Sequence, residues 1–464
     1  MVKARRYHRS PSHAPVFNFF RVTTTMPLLP RCAIALALSS ALAGCATSPT
    51  ASAPARLALY EGRPLDGMHV TAADPDTEQV LTASSTTVAK GSKYPNSLVS
   101  VTKSAKSAAD DALTLRWKDI WKSTLRIEGA PLDLTPYMAK GTLAFDLNVQ
   151  DLAKGGINIT LGCGKDCERS VPYVAPGRAA QGKGWQHVVV PLHCFVREGD
   201  SFQSVTRPFT LEGGGHGDVS VANIVIDSAG TPNTACADYK AVAVTPTPLA
   251  EWWSIDWWMP RHQQKLAEIK ALKAAGKSPE VIFIGDSITQ GWEKEGAKVW
   301  ERNYKQYDAL DLGYGGDRTE NVLWRLQHGE IDGIAPKLAV LMFGTNNTGH
   351  RQENPATTAA AIARNIAEVQ RRLPNTKILL LAVFPRDATP SGTLRQINEK
   401  INAILPSFAD NKKVFFLNIN QVFLQADGTL PVDIMPDLLH PNEKGYELWA
   451  NAMRPELERL LKQP

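Results

Sequence analysis

Ile284-Gly285-Asp286-Ser287-Ile288 is the stretch on which the reading of the chain turns. It follows the apolar run Val281-Ile282-Phe283 and precedes Thr289-Gln290-Gly291. A short apolar run closed by Gly reads as a buried strand of a parallel sheet. Ser287 therefore falls where a strand ends and a helix is expected to begin. In open α/β folds that carboxyl edge is where ligands bind. A helix starting there offers backbone N–H groups and a positive dipole end to a developing oxyanion.

Around this stretch, strands and helices alternate through the C-terminal half. Strands are expected at Val281–Ile284, Ala309–Leu312, Leu338–Phe343, Ile378–Phe384 and Val414–Leu417. Helices are expected at Arg261–Ala275, Thr319–Gln327, Thr357–Leu373, Leu394–Ala409 and Glu443–Leu461. Such alternation implies an α/β domain, a five-stranded parallel sheet flanked by helices.

Three further groups fall beside strand ends or ahead of the last helix. They are Gly313-Tyr314-Gly315-Gly316-Asp317, Gly344-Thr345-Asn346-Asn347 and Asp437-Leu438-Leu439-His440. An Asp three residues before a His is placed to hold the ring from Nδ1, leaving Nε2 to take the Ser287 proton. His262, His328 and His350 have no comparable setting. In order, the four blocks resemble those of the SGNH, or GDSL-like, hydrolases. Gly315-Gly316-Asp317-Arg318-Thr319, Leu323-Trp324-Arg325-Leu326 and Gly344-Thr345-Asn346-Asn347 are similar to the branch holding the platelet-activating-factor acetylhydrolase catalytic subunits. The resemblance implies a flavodoxin-like sheet with Ser287 as nucleophile, His440 as base and Asp437 orienting it. It also implies an oxyanion hole from the N–H groups of Ser287 and Gly316 and the Asn346 amide. Every one of these roles is filled without a metal or cofactor.

From about 60 to 240 the pattern changes. Leu113, Leu115 and Trp117 alternate with polar residues, as do Leu143, Phe145, Leu147 and Val149. Turn residues interrupt these runs at short intervals, the mark of an antiparallel β-sandwich. Leu161-Gly162-Cys163-Gly164, Gly184-Trp185, Pro191-Leu192, Cys194-Phe195 and Pro208-Phe209 resemble the galactose-binding-like domain at the C-terminal end of bacterial exo-β-glucanases. That resemblance implies a jelly-roll-like module that binds carbohydrate or packs. Trp117 and Trp121 are candidates for stacking on sugar, or for the core. The Trp252–Trp258 cluster reads as packing between the two halves, with a sugar site as the alternative.

The chain of 464 residues carries a formal charge of +5. Residues 1–44 hold six basic residues and no acid, so the remainder carries −1, and nothing suggests nucleic-acid binding. Arg31 and the apolar run from Cys32 to Leu38 read as a signal peptide too short to span a bilayer. Leu42-Ala43-Gly44-Cys45 resembles the bacterial lipobox, which implies lipidation of Cys45 and, with Ala46 following, the outer membrane. Met26 is a plausible alternative start. Cys163, Cys167, Cys194 and Cys236 make an even count in an oxidising compartment. Cys163–Cys167 with Cys194–Cys236 is the preferred pairing, and a zinc site the alternative.

The expected organisation is a leader at 1–45, a flexible tether at 46–60, the sandwich at 61–240, a linker at 241–250 and the hydrolase at 251–464. An exported, anchored serine esterase beside a sugar-module-like domain points to O-acetyl groups on a polysaccharide or oligosaccharide, with acetylxylan an example. A lipase-like, phospholipid or thioester hydrolase is the alternative enzyme. A surface carbohydrate-binding protein with an inactive hydrolase domain is the alternative of another class.

Overall fold

The computed structural model describes residues 55–88, 94–164, 167–197 and 199–462. The leader with Met26 and Cys45 lies outside them, as do residues 46–54 of the expected tether. The rest of that tether is a correction. Arg56–Tyr60 is a strand paired antiparallel with Phe209–Asp227, and Leu59 and Tyr60 are buried. Two apolar side chains at its end give it enough to bury to join the sheet.

The sandwich is built on two long strands, Ala112–Gly129 and Phe209–Asp227, which pair antiparallel from Phe209↔Ile127 to Ala222↔Ala112. Other strands hydrogen-bond to their flanks, and one apolar core fills the interior. The register shifts twice between Gly213 and Gly217. Successive strand residues face opposite sides, and here each side of the glycine run seats an indole. A Cβ at Gly217 or Gly213 would lie 2.1 or 2.6 Å from the Trp117 ring. A Cβ at Gly214 would lie 2.3 Å from the Trp252 ring, which also covers Gly156. Trp117 is thus core, at 2% exposure, and not a sugar-stacking residue. Trp252 and Trp253 pack on Trp121, with ring centroids 5.4 and 5.8 Å apart. Disulfides join Cys163 to Cys167 and Cys194 to Cys236, so these sulfurs are not ligands for the zinc alternative.

The segment expected as a linker is docked. Tyr239–Val244 is a helix capped by the Asp238 carboxylate, which accepts from Lys240 N and Ala241 N. Thr319 Oγ1 donates to the buried Ala243 carbonyl at 3.0 Å, and Asn321 Nδ2 donates to Thr247 O at 2.9 Å.

The second sheet is wholly parallel, in the order Leu310–Gly313, Val281–Gly285, Leu338–Met342, Lys377–Leu381, Val414–Leu417. Apolar side chains cover both faces in two clusters. The chain reverses direction across the sheet beside Val281–Gly285, the switch point at which doubly wound folds leave a crevice.

Gly214→Ala tests the junction. The new methyl meets Trp252 and the Trp121 carbonyl at 2.8 Å, and overpacking of this kind costs about 1–3 kcal/mol. The melting temperature is expected to fall; an unchanged melt would show that Trp252 is not seated there.

Candidate active site

Gly285 closes the first strand of the parallel sheet where no side chain fits. A Cβ there would lie 1.9 Å from Thr289 Oγ1 and 2.5 Å from the Met342 carbonyl. Asp286 follows, fully buried, and its Oδ1 accepts from Ile288 N at 3.0 Å. The helix after it is one turn, Ser287–Gln290, running into a 3₁₀ turn at Gly291–Glu293. The helix expected to begin at Ser287 is a single turn, so what it offers an oxyanion is chiefly its local N–H groups.

Ser287 Oγ lies 2.8 Å from His440 Nε2, and His440 Nδ1 lies 2.6 Å from Asp437 Oδ2. Asp437 Oδ1 accepts from His440 N at 2.7 Å and Leu439 N at 3.1 Å, so one carboxylate fixes both the ring and the turn beneath it. The turn requires Leu438 at φ +59°, a left-handed conformation costly for a branched side chain. Burial works to raise the Asp437 carboxyl, but hydrogen bonds from the His440 ring and the His440 and Leu439 N–H groups outweigh it and hold it down to about 2. With Nδ1–H given to this carboxylate, Nε2 is left to accept the Ser287 proton. The side chains of Asp437 and His440 are 57% and 41% exposed, so the pair works at the surface.

A cavity of about 770 Å³ opens over these three residues, lined also by Trp257, Gln290 and Gly315. Gly315 lines it; Gly316, half-buried, has the position of its missing side chain taken by Trp253. Gly316 has φ +73°, and the Trp253 indole stands 2.0 Å from where its Cβ would be. Asn346 donates one amide hydrogen to the carbonyl of Asp317, at 2.9 Å. The structure thus joins Ser287, His440 and Asp437 in one hydrogen-bonded chain, and ties Asn346 to the loop that carries Gly316.

Several supports of this site were missed in the sequence. Gln290 Oε1 accepts from Gly315 N at 2.8 Å. Tyr446 OH donates to Ile288 O at 2.7 Å. Asp317 accepts from Trp258 Nε1 at 2.6 Å and Arg325 Nε at 2.7 Å, and Arg325 Nη2 donates to Gly285 O at 3.2 Å. The Asp-Arg-Thr run after Gly316 was visible, but it carried no sign that Asp317 faces a cation eight residues on.

Comparison with known proteins defines the class. Residues 283–448 match the GDSL-like lipase/acylhydrolase family, and residues 75–226 match a galactose-binding domain-like family. The chain is 35% identical over 222 residues to the bovine (Bos taurus) platelet-activating factor acetylhydrolase IB subunit alpha1, spanning 48% of this chain and 91% of that protein. A GDSL-like lipase of Bacteroides thetaiotaomicron is similar at 22% identity and a TM-score of 0.36, over 42% of this chain and 97% of that one. The extra C-terminal domain of an exo-1,3/1,4-β-glucanase from a Pseudoalteromonas species is similar at 16% identity and a TM-score of 0.32, over 39% and 99%. The chain belongs to the GDSL-like lipase/acylhydrolase family. It is an ester hydrolase whose catalytic sheet follows a galactose-binding-like β-sandwich.

Burial pushes the Asp286 carboxyl up to about 7. A folded-state value above the unfolded one means the folded chain holds the proton more tightly, so stability falls as pH rises from about 4 to 7. Asp286→Asn keeps an acceptor for Ile288 N and removes the charge. Its melting temperature relative to the parent is expected to climb across that interval; a difference independent of pH would overturn the assignment.

Proposed function

We propose that this protein removes O-acetyl groups from a polysaccharide through an acyl-enzyme on Ser287. The observation that carries acyl transfer is the continuous chain from Ser287 through His440 to Asp437, at 2.8 and 2.6 Å, beneath an open cavity. In this reading Ser287 Oγ attacks the ester carbonyl carbon while His440 Nε2 takes its proton. The oxyanion is met by the N–H groups of Ser287 and Gly316 and by the second amide hydrogen of Asn346. His440 then protonates the departing sugar hydroxyl, and water, activated by the same ring, releases acetate.

The acetyl group is supported by the relatives named acetylhydrolases, and the polysaccharide by the galactose-binding-like module in the same chain. The export and Cys45 lipidation expected from the sequence would suit this reading, because such substrates lie outside the cell. The name of those relatives also favours a second reading, an acetyl ester of a phospholipid.

Acetate release decides between them. The wild type is expected to deacetylate acetylated xylan faster than it cleaves a long-chain or phospholipid ester. Ser287→Ala is expected to lose activity by as much as about 10⁶-fold, the scale for removing a serine nucleophile. Preference for the lipid ester would overturn the carbohydrate reading, and retained activity in Ser287→Ala would overturn the nucleophile.

Asp437→Asn separates orientation from charge. An amide NH₂ facing Nδ1 favours the wrong tautomer, the cause of the loss of about 10⁴-fold when a buried triad carboxylate is changed. Because Asp437 is more than half exposed, water is able to serve Nδ1. The expected fall in kcat is therefore below that figure but above tenfold, and a smaller effect would demote Asp437 while leaving His440 in place.

A further inference from the structure

A second cavity, of about 520 Å³, lies where the sandwich meets the hydrolase. One wall carries Trp121 and Lys122 from Ala112–Gly129 and Glu212 from Phe209–Asp227; the other carries Trp253, Arg318 and His350. Trp121 is 51% exposed, although two other indoles pack against it.

We infer that this cleft is a subsite for neutral sugar units of the same polymer whose acetyl group enters the catalytic cavity, an inference that rests on the carbohydrate reading above.

Continuity with the active site is the first support. Trp121 contacts Trp253, which stacks on Trp257 with centroids 6.3 Å apart and planes 25° from parallel. Trp253 covers Gly316, and Trp257 lines the cavity over Ser287. Three indoles thus run from the sandwich to the nucleophile. A sugar offers C–H faces to rings of this kind and hydroxyls to charged groups beside them.

The charges specify the class. Lys122 is already paired with Glu212 at 2.9 Å and faces Glu168 at 3.6 Å. Arg318 is paired with Glu251 at 3.0 Å and Glu320 at 2.8 Å. Arg351 is held by Glu320 and Glu353 at 3.0 and 2.7 Å. Arg169 is paired with Asp200, and Arg197 lies over the Tyr239 ring at 4.4 Å and donates to the Cys194 and Val196 carbonyls. Most of these charges are thus paired, and they keep strong donors and acceptors side by side for hydroxyl groups. Arg318 donates to His350 Nδ1 at 3.1 Å, so the neutral ring carries its proton on Nε2. His350 remains exposed to the cleft.

The test uses the full-length enzyme, with acetylated xylan and acetylated glucomannan as polymers and 4-nitrophenyl acetate as the small ester. Trp121→Ala is expected to raise KM for the polymers at least tenfold more than KM for the small ester. Lys122→Met, which leaves the indoles in place, is expected to do the same and decides the matter if Trp121→Ala melts early. Equal changes on polymer and small ester would overturn the subsite while leaving the esterase reading intact. A wild type that releases no acetate from either polymer would overturn the carbohydrate reading, and the subsite with it.

Discussion

Arg325 is a guanidinium with no exposure to water, and the catalytic edge of the sheet hangs on how it is compensated. It pairs with Asp317 and Glu330, donates to the Gly285 carbonyl and lies 3.8 Å from the Tyr314 ring centroid. Those partners span the nucleophile strand and the glycine loop, so one buried cation locks two strand ends together. Such a pair need not stabilise the fold relative to an apolar core, but losing one partner strands the other charge at about 3–5 kcal/mol. The geometry between Ser287 and the loop is thereby held by a group that cannot relax into solvent. Trp258 closes the other oxygen of Asp317, which ties the start of the Trp258–Ala274 helix to the same point.

The parallel sheet was legible because its strands are buried on both faces and its helices begin at recognisable residues. Thr319–Gln327 and Val414–Leu417 coincide at both ends with expectation. The juxtaposition of Ser287, His440 and Asp437 was legible for a related reason, since a Gly-Asp-Ser turn and an Asp-x-x-His segment are local in sequence. What escaped was set by contacts distant in sequence. Ala241–Val244 reads as linker by composition, yet the face it presents to Thr319 makes it a helix. Trp117 reads as a candidate sugar platform until Gly213 and Gly217, nearly a hundred residues on, are seen to make room for its ring.

The Gly213–Gly217 run explains why the sandwich is more than an appendage. Its inner side receives Trp117 and its outer side Trp252. Trp252 adjoins Trp253, and Trp253 occupies the space over Gly316. Glycine in the sandwich and glycine in the catalytic loop are therefore required by neighbouring indoles of one short segment. The same short segment thus touches both the sandwich and the loop beside Ser287.

The two electrostatic pairs of the site are arranged oppositely, and the contrast accounts for their division of labour. Asp317 and Arg325 are dry, where a charge pair is strong and its geometry stiff. Asp437 and His440 are partly exposed, where solvent screens their attraction. In the proposed mechanism the loop meets a developing negative charge and gains from being preorganised, because any reorganisation adds to the barrier. In the proposed mechanism the imidazole accepts a proton, returns it to the leaving group and then serves water, and each step gains from access to solvent. The Asp437 carboxylate accepts one hydrogen bond from the ring and two from backbone N–H groups, and with the left-handed Leu438 these hold the ring with Nε2 facing Ser287.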